Sequence, residues 1–170
     1  MAAGGRRNRI EGAGPQHGPA EPPRMLKEHL GFVLNRAAGR VREEFGKALA
    51  PLLITPRHYG LLTLLAEAGG LTQQEAGERV FCDRTTMVNL MDDLERLGLA
   101  ERVARPDDRR AYAIRLTRRG RLVQAKGRAI ANRVNTRFLR PLTRGEVARL
   151  RELLERLISE PRPRSEEERQ

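Results

Sequence analysis

Two short helical segments, joined by a tight turn near the middle of the chain, constrain its fold more than any other feature. The run Thr72-Gln73-Gln74-Glu75 has the spacing of a capping box, which predicts a helix over 73–79. Phe81-Cys82 would form the turn, Asp83 can cap a second helix, and Gly98 would end it. A short helix, a turn of about three residues and a longer helix form a helix-turn-helix arrangement.

The second helix of this pair would have one apolar and one polar face. Apolar residues at helical spacing predict its core side, at Met87, Leu90, Met91, Leu94 and Leu97. The opposite side would be polar, at Arg84, Thr85, Asn89, Asp92 and Arg96. A helix whose first exposed turn is polar and basic is suited to enter a DNA major groove.

A β-hairpin is predicted directly after the helix pair. Residues 101–105 and 111–116 have the pattern of two short strands, and they surround the run Pro106-Asp107-Asp108-Arg109-Arg110. We call this hairpin the wing. Its tip would therefore carry arginine. Upstream, Thr55-Pro56 starts a helix that is apolar nearly all round and that Gly69-Gly70 would end.

Three long amphipathic helices are predicted around this small module. Apolar residues recur at helical spacing over 25–49; Thr117 can cap a long helix that Pro141 stops, and a second capping box at Thr143 and Glu146 starts the last helix. Their apolar stripes are too extensive to be buried against the module alone. They are therefore predicted to meet the stripes of a second subunit in a homodimer.

The predicted fold is thus mainly α with a small β-hairpin wing (α+β). A winged helix-turn-helix module over 55–116 would be flanked by dimerisation helices over 25–49 and 118–158. Residues 1–24 are rich in Gly, Pro, Ala and Arg and predict a disordered basic arm, and 159–170 predict a flexible tail.

The net charge of +11 is confined to one part of the chain. Residues 101–144 contain 14 Lys and Arg against 3 Asp and Glu, so the remaining residues balance. Clustered positive charge indicates a polyanionic partner, most often nucleic acid, through counterion release. An anionic membrane surface is the weaker alternative.

Other classes of protein are disfavoured by what the sequence lacks. A single cysteine and three histidines leave no cysteine-based zinc cluster and little for another metal site, and no cofactor is implied. No Gly-rich phosphate loop, Gly-x-Ser-x-Gly or HExxH motif supports an enzyme. No apolar stretch approaches the roughly 20 residues of a membrane span, and no apolar signal region starts the chain, so we expect a soluble cytoplasmic protein.

The chain resembles the multiple antibiotic resistance regulator (MarR) family over about residues 25–158. The strongest element is the run Asp108-Arg109-Arg110-Ala111-Tyr112-Ala113-Ile114-Arg115-Leu116-Thr117-Arg118-Arg119-Gly120, which is similar to the family's wing signature. That signature is Asp-x-Arg, then an apolar strand, then Leu-Thr-x-x-Gly. Supporting segments lie at 53–59, 83–88 and 93–99.

The resemblance implies a transcriptional regulator and not an enzyme. A homodimer, held by the first and last two helices, would bind a near-palindromic operator in double-stranded DNA, with half-sites roughly 34 to 36 Å apart. It would act as a repressor that releases DNA when a small molecule changes the spacing of its two modules.

The resemblance also assigns residues to the DNA. The major groove would be contacted by Arg84, Thr85, Thr86 and Asn89, with Asn89 suited to adenine. Arg110 would enter the minor groove, supported by Asp108, while Arg109 would contact phosphate. Thr72 and Gln73 would meet a phosphate at a helix N-terminus. The alternative for the residues assigned to the major groove is a solvated helix face, and for the wing tip it is a solvated turn. For Thr72 and Gln73 the alternative is a purely capping role.

Two further roles would concern a signal. His29 and His58, with Phe32 or Tyr59, could bind a small aromatic or phenolic effector, although packing or capping roles are favoured for them. Cys82 precedes a helix N-terminus beside Arg84, which favours a redox switch, whereas Asp83 acts in the opposite sense. The reactive cysteine of peroxide-sensing relatives lies in the first helix, and here that helix has none. A DNA-binding architectural protein without sequence preference remains the rival to a specific regulator.

Overall fold

The computed structural model describes residues 23–104 and 112–159. The chain divides into two units, 1–36 and 37–170. The first contains helix α1, Arg24–Glu28, and the start of α2, Leu30–Leu49. Among the described residues, no helix is long and apolar enough to cross a membrane.

The prediction of one continuous helix over 25–49 is wrong at His29. This residue is extended, with φ −84° and ψ 110°, and its N–H donates to the carbonyl of Leu26. Its own carbonyl accepts from the N–H groups of Phe32 and Val33, so it stands where α2 begins. Hydrophobic spacing continues across the break, which is why periodicity gave no sign of it.

Helix α3, Pro56–Ala68, follows a short 3-10 turn at Ala50–Leu52. Thr55 caps it as predicted, and the buried side chains of Leu61, Leu62 and Leu65 place it in the core. Gly70, just after its end, has a φ of +79°, a left-handed conformation that favours glycine. The two predicted glycines therefore do follow the helix.

The helix-turn-helix is confirmed. Helix α4 is Gln73–Arg79, helix α5 is Arg84–Arg96, and the predicted residues Thr72 and Asp83 cap them. Gly98 ends α5 in a Schellman motif: its N–H donates to the Glu95 carbonyl, and the N–H of Leu99 donates to that of Leu94. The core side of α5 is buried at Met87, Leu90, Met91 and Leu94, while Leu97 is half-buried.

The hairpin consists of strands β1, Ala100–Ala104, and β2, Tyr112–Leu116, paired antiparallel. An additional connection comes from the residues before α4. The N–H of Ile114 donates to the carbonyl of Leu71 over 2.7 Å, and Thr72 forms a bridge with Ala113. The start of α4 is therefore attached directly to the hairpin, which the sequence did not predict.

Two long helices complete the chain. Helix α6, Arg118–Phe138, is capped by Thr117, and helix α7, Arg144–Ser159, begins at the predicted capping box of Thr143 and Glu146. Thr117 also donates its hydroxyl to the carbonyl of Gly98 over 2.8 Å. Gly120, in the first turn of α6, packs against the backbone of Leu99. The end of α5, the start of β1 and the start of α6 thus meet at one point.

Helix α7 has no buried residue. Its exposed apolar side chains are Leu150, Leu153, Leu157 and Ile158. A stripe of this kind is expected to find a partner, because exposed leucine clusters on a helix are unfavourable in water.

Candidate nucleic-acid interface

The polar face of α5 begins directly at its N-terminus. Arg84, Thr85 and Asn89 are exposed, and Thr85 and Asn89 lie about one helical turn apart. Thr86 is half-buried and donates both its N–H and its hydroxyl to the Asp83 carboxylate, over 2.9 and 2.5 Å. The cap therefore engages the Thr86 hydroxyl, and the other three side chains remain at the surface.

The carboxylate of Asp83 fixes the start of this helix. Hydrogen bonds from the hydroxyl and the backbone N–H of Thr86 hold the pKa of Asp83 below its usual value. An ionised carboxylate is favourable at a helix N-terminus, where the first N–H groups lack partners within the helix. The position of the exposed residues in the first two turns of α5 is thereby defined.

Thr72 and Gln73 lie together at the N-terminus of α4, in different roles. Thr72 donates its N–H and its hydroxyl to Glu75, and its oxygen accepts the N–H of Glu75 over 3.2 Å. The capping role of Thr72 is thus present, and its phosphate contact stays a prediction. Gln73 instead reaches the hairpin, where its Oε1 accepts from Arg102 Nε and Nη2 at 3.4 and 3.3 Å.

The predicted wing residues Asp108, Arg109 and Arg110 lie outside the described residues. The described strands end at Ala104 and begin again at Tyr112. The assignment of Arg110 to a minor groove therefore remains a prediction from the resemblance.

The positive charge is distributed differently from the predicted DNA surface. Residues 73–96, which cover both helices of the pair, contain six acidic and three basic residues. By contrast, residues 118–140 contain eight basic residues and no acidic one, and most of them belong to α6. Counting charges by helix, and not over a whole segment, would have revealed this.

Every carboxylate on α5 has a basic neighbour. Asp93 pairs with Arg96 and lies 3.4 Å from His58 Nε2. Asp92 and Glu95 both pair with Arg102 of strand β1, the former over 2.8 Å. Sequence reasoning missed Arg102, although an acidic excess on a predicted DNA-binding helix signals the need for a counterion.

His58 and Tyr59 are occupied by structural contacts within the second unit. The Thr55 N–H donates to His58 Nδ1 over 3.1 Å, while the His58 N–H donates to Thr55 Oγ1, which completes a capping box. The ring of Tyr59 meets that of Phe45 edge-on at 5.3 Å. His29 is exposed and Phe32 half-buried in the first unit.

A cavity of about 640 Å³ lies elsewhere in the second unit. The end of α3, the hairpin and the start of α6 surround it, with Leu65, Val103 and Leu116 on its apolar side and Arg115 and Arg121 on its polar side. Neither His58 nor Tyr59 lines it. Among the described residues, no group of His, Cys, Asp and Glu is arranged to hold a metal ion.

The pH dependence of folding should report on His58. Burial lowers the pKa of His58 below its usual value. The nearby Asp93 carboxylate acts in the opposite direction but is outweighed, and the positive charge of Arg96 also lowers the pKa of His58. Because Nδ1 accepts a hydrogen bond, the neutral ring carries its proton on the buried Nε2, near Asp93. The unfolded chain then binds a proton more readily than the folded one.

We therefore expect the contribution of neutral His58 to be complete above pH about 6.5 and to be lost as the pH falls through the lowered value. Urea unfolding between pH 7.5 and 5 measures this, with His58→Gln as the comparison and His29→Gln, at an exposed position, as the control. A constant difference between wild type and His58→Gln over that range would contradict the assignment.

Comparison with known proteins identifies the arrangement. The MarR family model matches residues 54–111. A putative transcriptional regulatory protein for the hcr operon of Thauera aromatica is 31% identical over 129 residues, covering 75% of this chain and 78% of that protein. An HTH-type transcriptional repressor of Mycobacterium tuberculosis is 28% identical, covering 77% of this chain and 94% of that protein.

Solved structures agree with the sequence relatives. The transcriptional repressor CouR, in a complex with a 23-mer DNA duplex, is 33% identical with a TM-score of 0.76, covering 82% of this chain and 99% of that one. A probable transcriptional regulator from Pseudomonas aeruginosa is 32% identical with a TM-score of 0.72, covering 78% and 98%. With its winged helix-turn-helix between long flanking helices, this chain belongs to the MarR family of transcriptional regulators.

Proposed function

We propose that this protein is a homodimeric repressor that reads a near-palindromic operator with helix α5 and the wing. The observation that carries the proposal is the face of α5, where Arg84, Thr85 and Asn89 are exposed together after a firmly capped N-terminus. The similar repressor CouR has been solved with a DNA duplex, which supports DNA as the partner. The wing would add Arg110 in the minor groove and Arg109 on phosphate, with Asp108 in support.

The apolar face of α7 supports a dimer. Four large apolar side chains of this helix are exposed, at Leu150, Leu153, Leu157 and Ile158. Burying them against a second copy would remove apolar surface from water, which is the main driving force of association. A two-fold symmetric dimer presents two α5 helices to DNA, and this matches an operator with two related half-sites.

Binding-site selection from random duplex DNA tests the proposal. The purified protein is incubated with the duplexes at two salt concentrations, which separate the electrostatic contribution from base recognition. We expect enrichment of a near-palindrome with half-sites about one turn apart. Salt-sensitive binding with no enriched motif would instead favour an architectural DNA-binding protein.

Asn89→Ala should relax base preference at one position in each half-site. An asparagine amide can bond both N6 and N7 of adenine, and a good bidentate contact contributes about 1 to 3 kcal/mol of discrimination. Asn132→Ala, the same change at an exposed position of α6, is the matched control. Selection repeated with both variants measures the effect, and unaltered specificity in Asn89→Ala would mean that α5 docks differently.

We also propose that a small molecule regulates DNA binding. A similar repressor structure contains p-coumaroyl-CoA and another regulator its natural ligand. A small aromatic or phenolic effector would shift the equilibrium between DNA-competent and incompetent spacings. Aromatic acids and phenols, added to the protein on its selected operator, test this through release of the DNA.

Cys82 allows a redox role to be tested separately. It is a free, half-buried thiol in the turn before α5, next to the ionised Asp83. Half-burial of the sulfur limits the access of an oxidant to it. We therefore expect equal operator affinity under reducing and oxidising conditions, and a difference that Cys82→Ser abolishes would establish a redox switch.

A further inference from the structure

The acidic residues of α5 present an electrostatic problem for a helix that approaches DNA. Asp92 and Glu95 lie one turn apart on this helix, and their side chains are 57% and 33% exposed. Through Arg102 they are linked to Gln73, in the first turn of α4, where a phosphate is expected. Two free carboxylates there would repel the DNA backbone.

Arg102 joins these groups at one point. Its Nη2 lies 2.8 Å from Asp92 Oδ1, its Nη1 contacts Glu95 Oε2, and its backbone N–H donates to Glu95 Oε1 over 2.9 Å. Its Nε and Nη2 face Gln73 Oε1. The Arg102 side chain is only 28% exposed, so water screens these contacts less than it would at the surface.

The chemistry of the guanidinium fixes the orientation of the Gln73 amide. Arginine has five N–H donors and no acceptor, so the oxygen of Gln73, and not its nitrogen, must face Arg102. The NH₂ group then lies on the other side of the amide, and none of the described residues accepts a hydrogen bond from it. A phosphate oxygen at the N-terminus of α4 could accept from this donor.

We propose that Arg102 is a positioning residue for DNA binding, which offsets one of the two negative charges of Asp92 and Glu95 and orients the Gln73 amide so that its NH₂ group donates to a phosphate. Arg102 itself does not bind the phosphate, because the two carboxylates take up its charge. This inference rests on the proposed DNA-binding function and assigns a role to a residue outside the α5 face and the wing tip.

Four variants of the full chain test the inference by fluorescence anisotropy on the selected operator, at several salt concentrations. Arg102→Met should weaken binding about tenfold or more at 0.1 M salt and reduce the salt slope, since two uncompensated carboxylates then face the backbone. Adding Asp92→Asn and Glu95→Gln to that variant should restore most of the affinity. The remaining deficit should equal that of Gln73→Ala, because both lack the oriented amide.

The most discriminating variant is Asp92→Asn with Glu95→Gln in the presence of Arg102. Freeing the guanidinium adds positive charge beside the phosphate, so we expect affinity to rise about threefold or more and the salt slope to steepen. A merely structural ion-pair network would lose affinity instead when it is broken. Arg149→Met on α7, where Arg149 pairs with Glu152, is the control for a lost arginine with a carboxylate partner.

The outcomes separate this inference from the function on which it rests. If the wild-type protein selects no DNA, the proposed function fails before Arg102 is tested. If it selects an operator and Arg102→Met binds as well as wild type, or if the triple variant recovers nothing, the inference is overturned while the function stands. Should Arg102→Met fail to fold, the Asp92→Asn, Glu95→Gln variant decides alone, and an unchanged or lower affinity contradicts the proposal.

Discussion

Replacing Gly120 with alanine is expected to destabilise the protein by about 3 kcal/mol or more, the upper range for overpacking a core. An alanine Cβ at this position would lie 1.9 Å from the carbonyl oxygen of Leu99 and 2.9 Å from its carbonyl carbon. Both atoms belong to the backbone between α5 and β1. The N–H of Leu99 donates to Leu94 of α5 and its carbonyl accepts from Thr117, so this backbone cannot move without disturbing both contacts. Urea unfolding at a fixed protein concentration measures the loss.

Gly60→Ala is the matched control for this experiment. Gly60 also lies within a helix, α3, but no other atom lies within 4 Å of a Cβ built there. Alanine is favoured over glycine in a helix by about 1 kcal/mol, so this variant should be as stable as wild type or more stable. Equal stability of Gly120→Ala and Gly60→Ala would show that the backbone near Leu99 yields easily.

Arg110→Ala is expected to weaken operator binding by about 1 to 3 kcal/mol for each wing contact, and a dimer has two. An arginine in a narrow minor groove is attracted by the concentrated negative potential there, which alanine cannot replace. The salt slope should fall along with the affinity, since fewer counterions are released. Anisotropy on the selected operator at several salt concentrations measures both quantities.

Two further variants test whether the loss of operator affinity in Arg110→Ala comes from the wing contact. Arg149→Ala removes the same charge from α7 and should leave operator affinity near that of wild type. Asp108→Asn should produce a smaller loss than Arg110→Ala, because the carboxylate acts only through the arginine it supports. If Arg110→Ala binds the operator like wild type, the assignment of Arg110 to the minor groove is incorrect.

The features that could be predicted from the sequence are those with local signals. Caps at Thr55, Thr72, Asp83 and Thr117 depend on residues within one turn, so the helix starts were found where predicted. The capping role of His58 was harder to predict, because a histidine takes the place of the usual Glu or Gln in the capping box that starts at Thr55. The break at His29 was missed because neither proline nor an interrupted apolar pattern marks it.

The contacts that could not be predicted join residues distant in sequence. The bond from Ile114 to Leu71 and the pairing of Arg102 with Asp92 depend on how the hairpin packs against the helices. Neither follows from local spacing, since strand register and side-chain reach are set by the whole fold. The glycine of the Leu-Thr-x-x-Gly motif was found by resemblance, and only its contact with Leu99 explains why a side chain is excluded.

Motion of α6 is transmitted to α5 through the contacts of Thr117 and Gly120 with Gly98 and Leu99. Hydrogen bonds and backbone packing join the end of α5 and the start of α6 there. The 21 residues of α6 extend about 31 Å, so a tilt of about 5° displaces one end by roughly 3 Å relative to the other. That displacement is close to the rise of one base pair. A small rotation at the far end of α6 would therefore suffice to move α5 out of register with the half-site proposed for it.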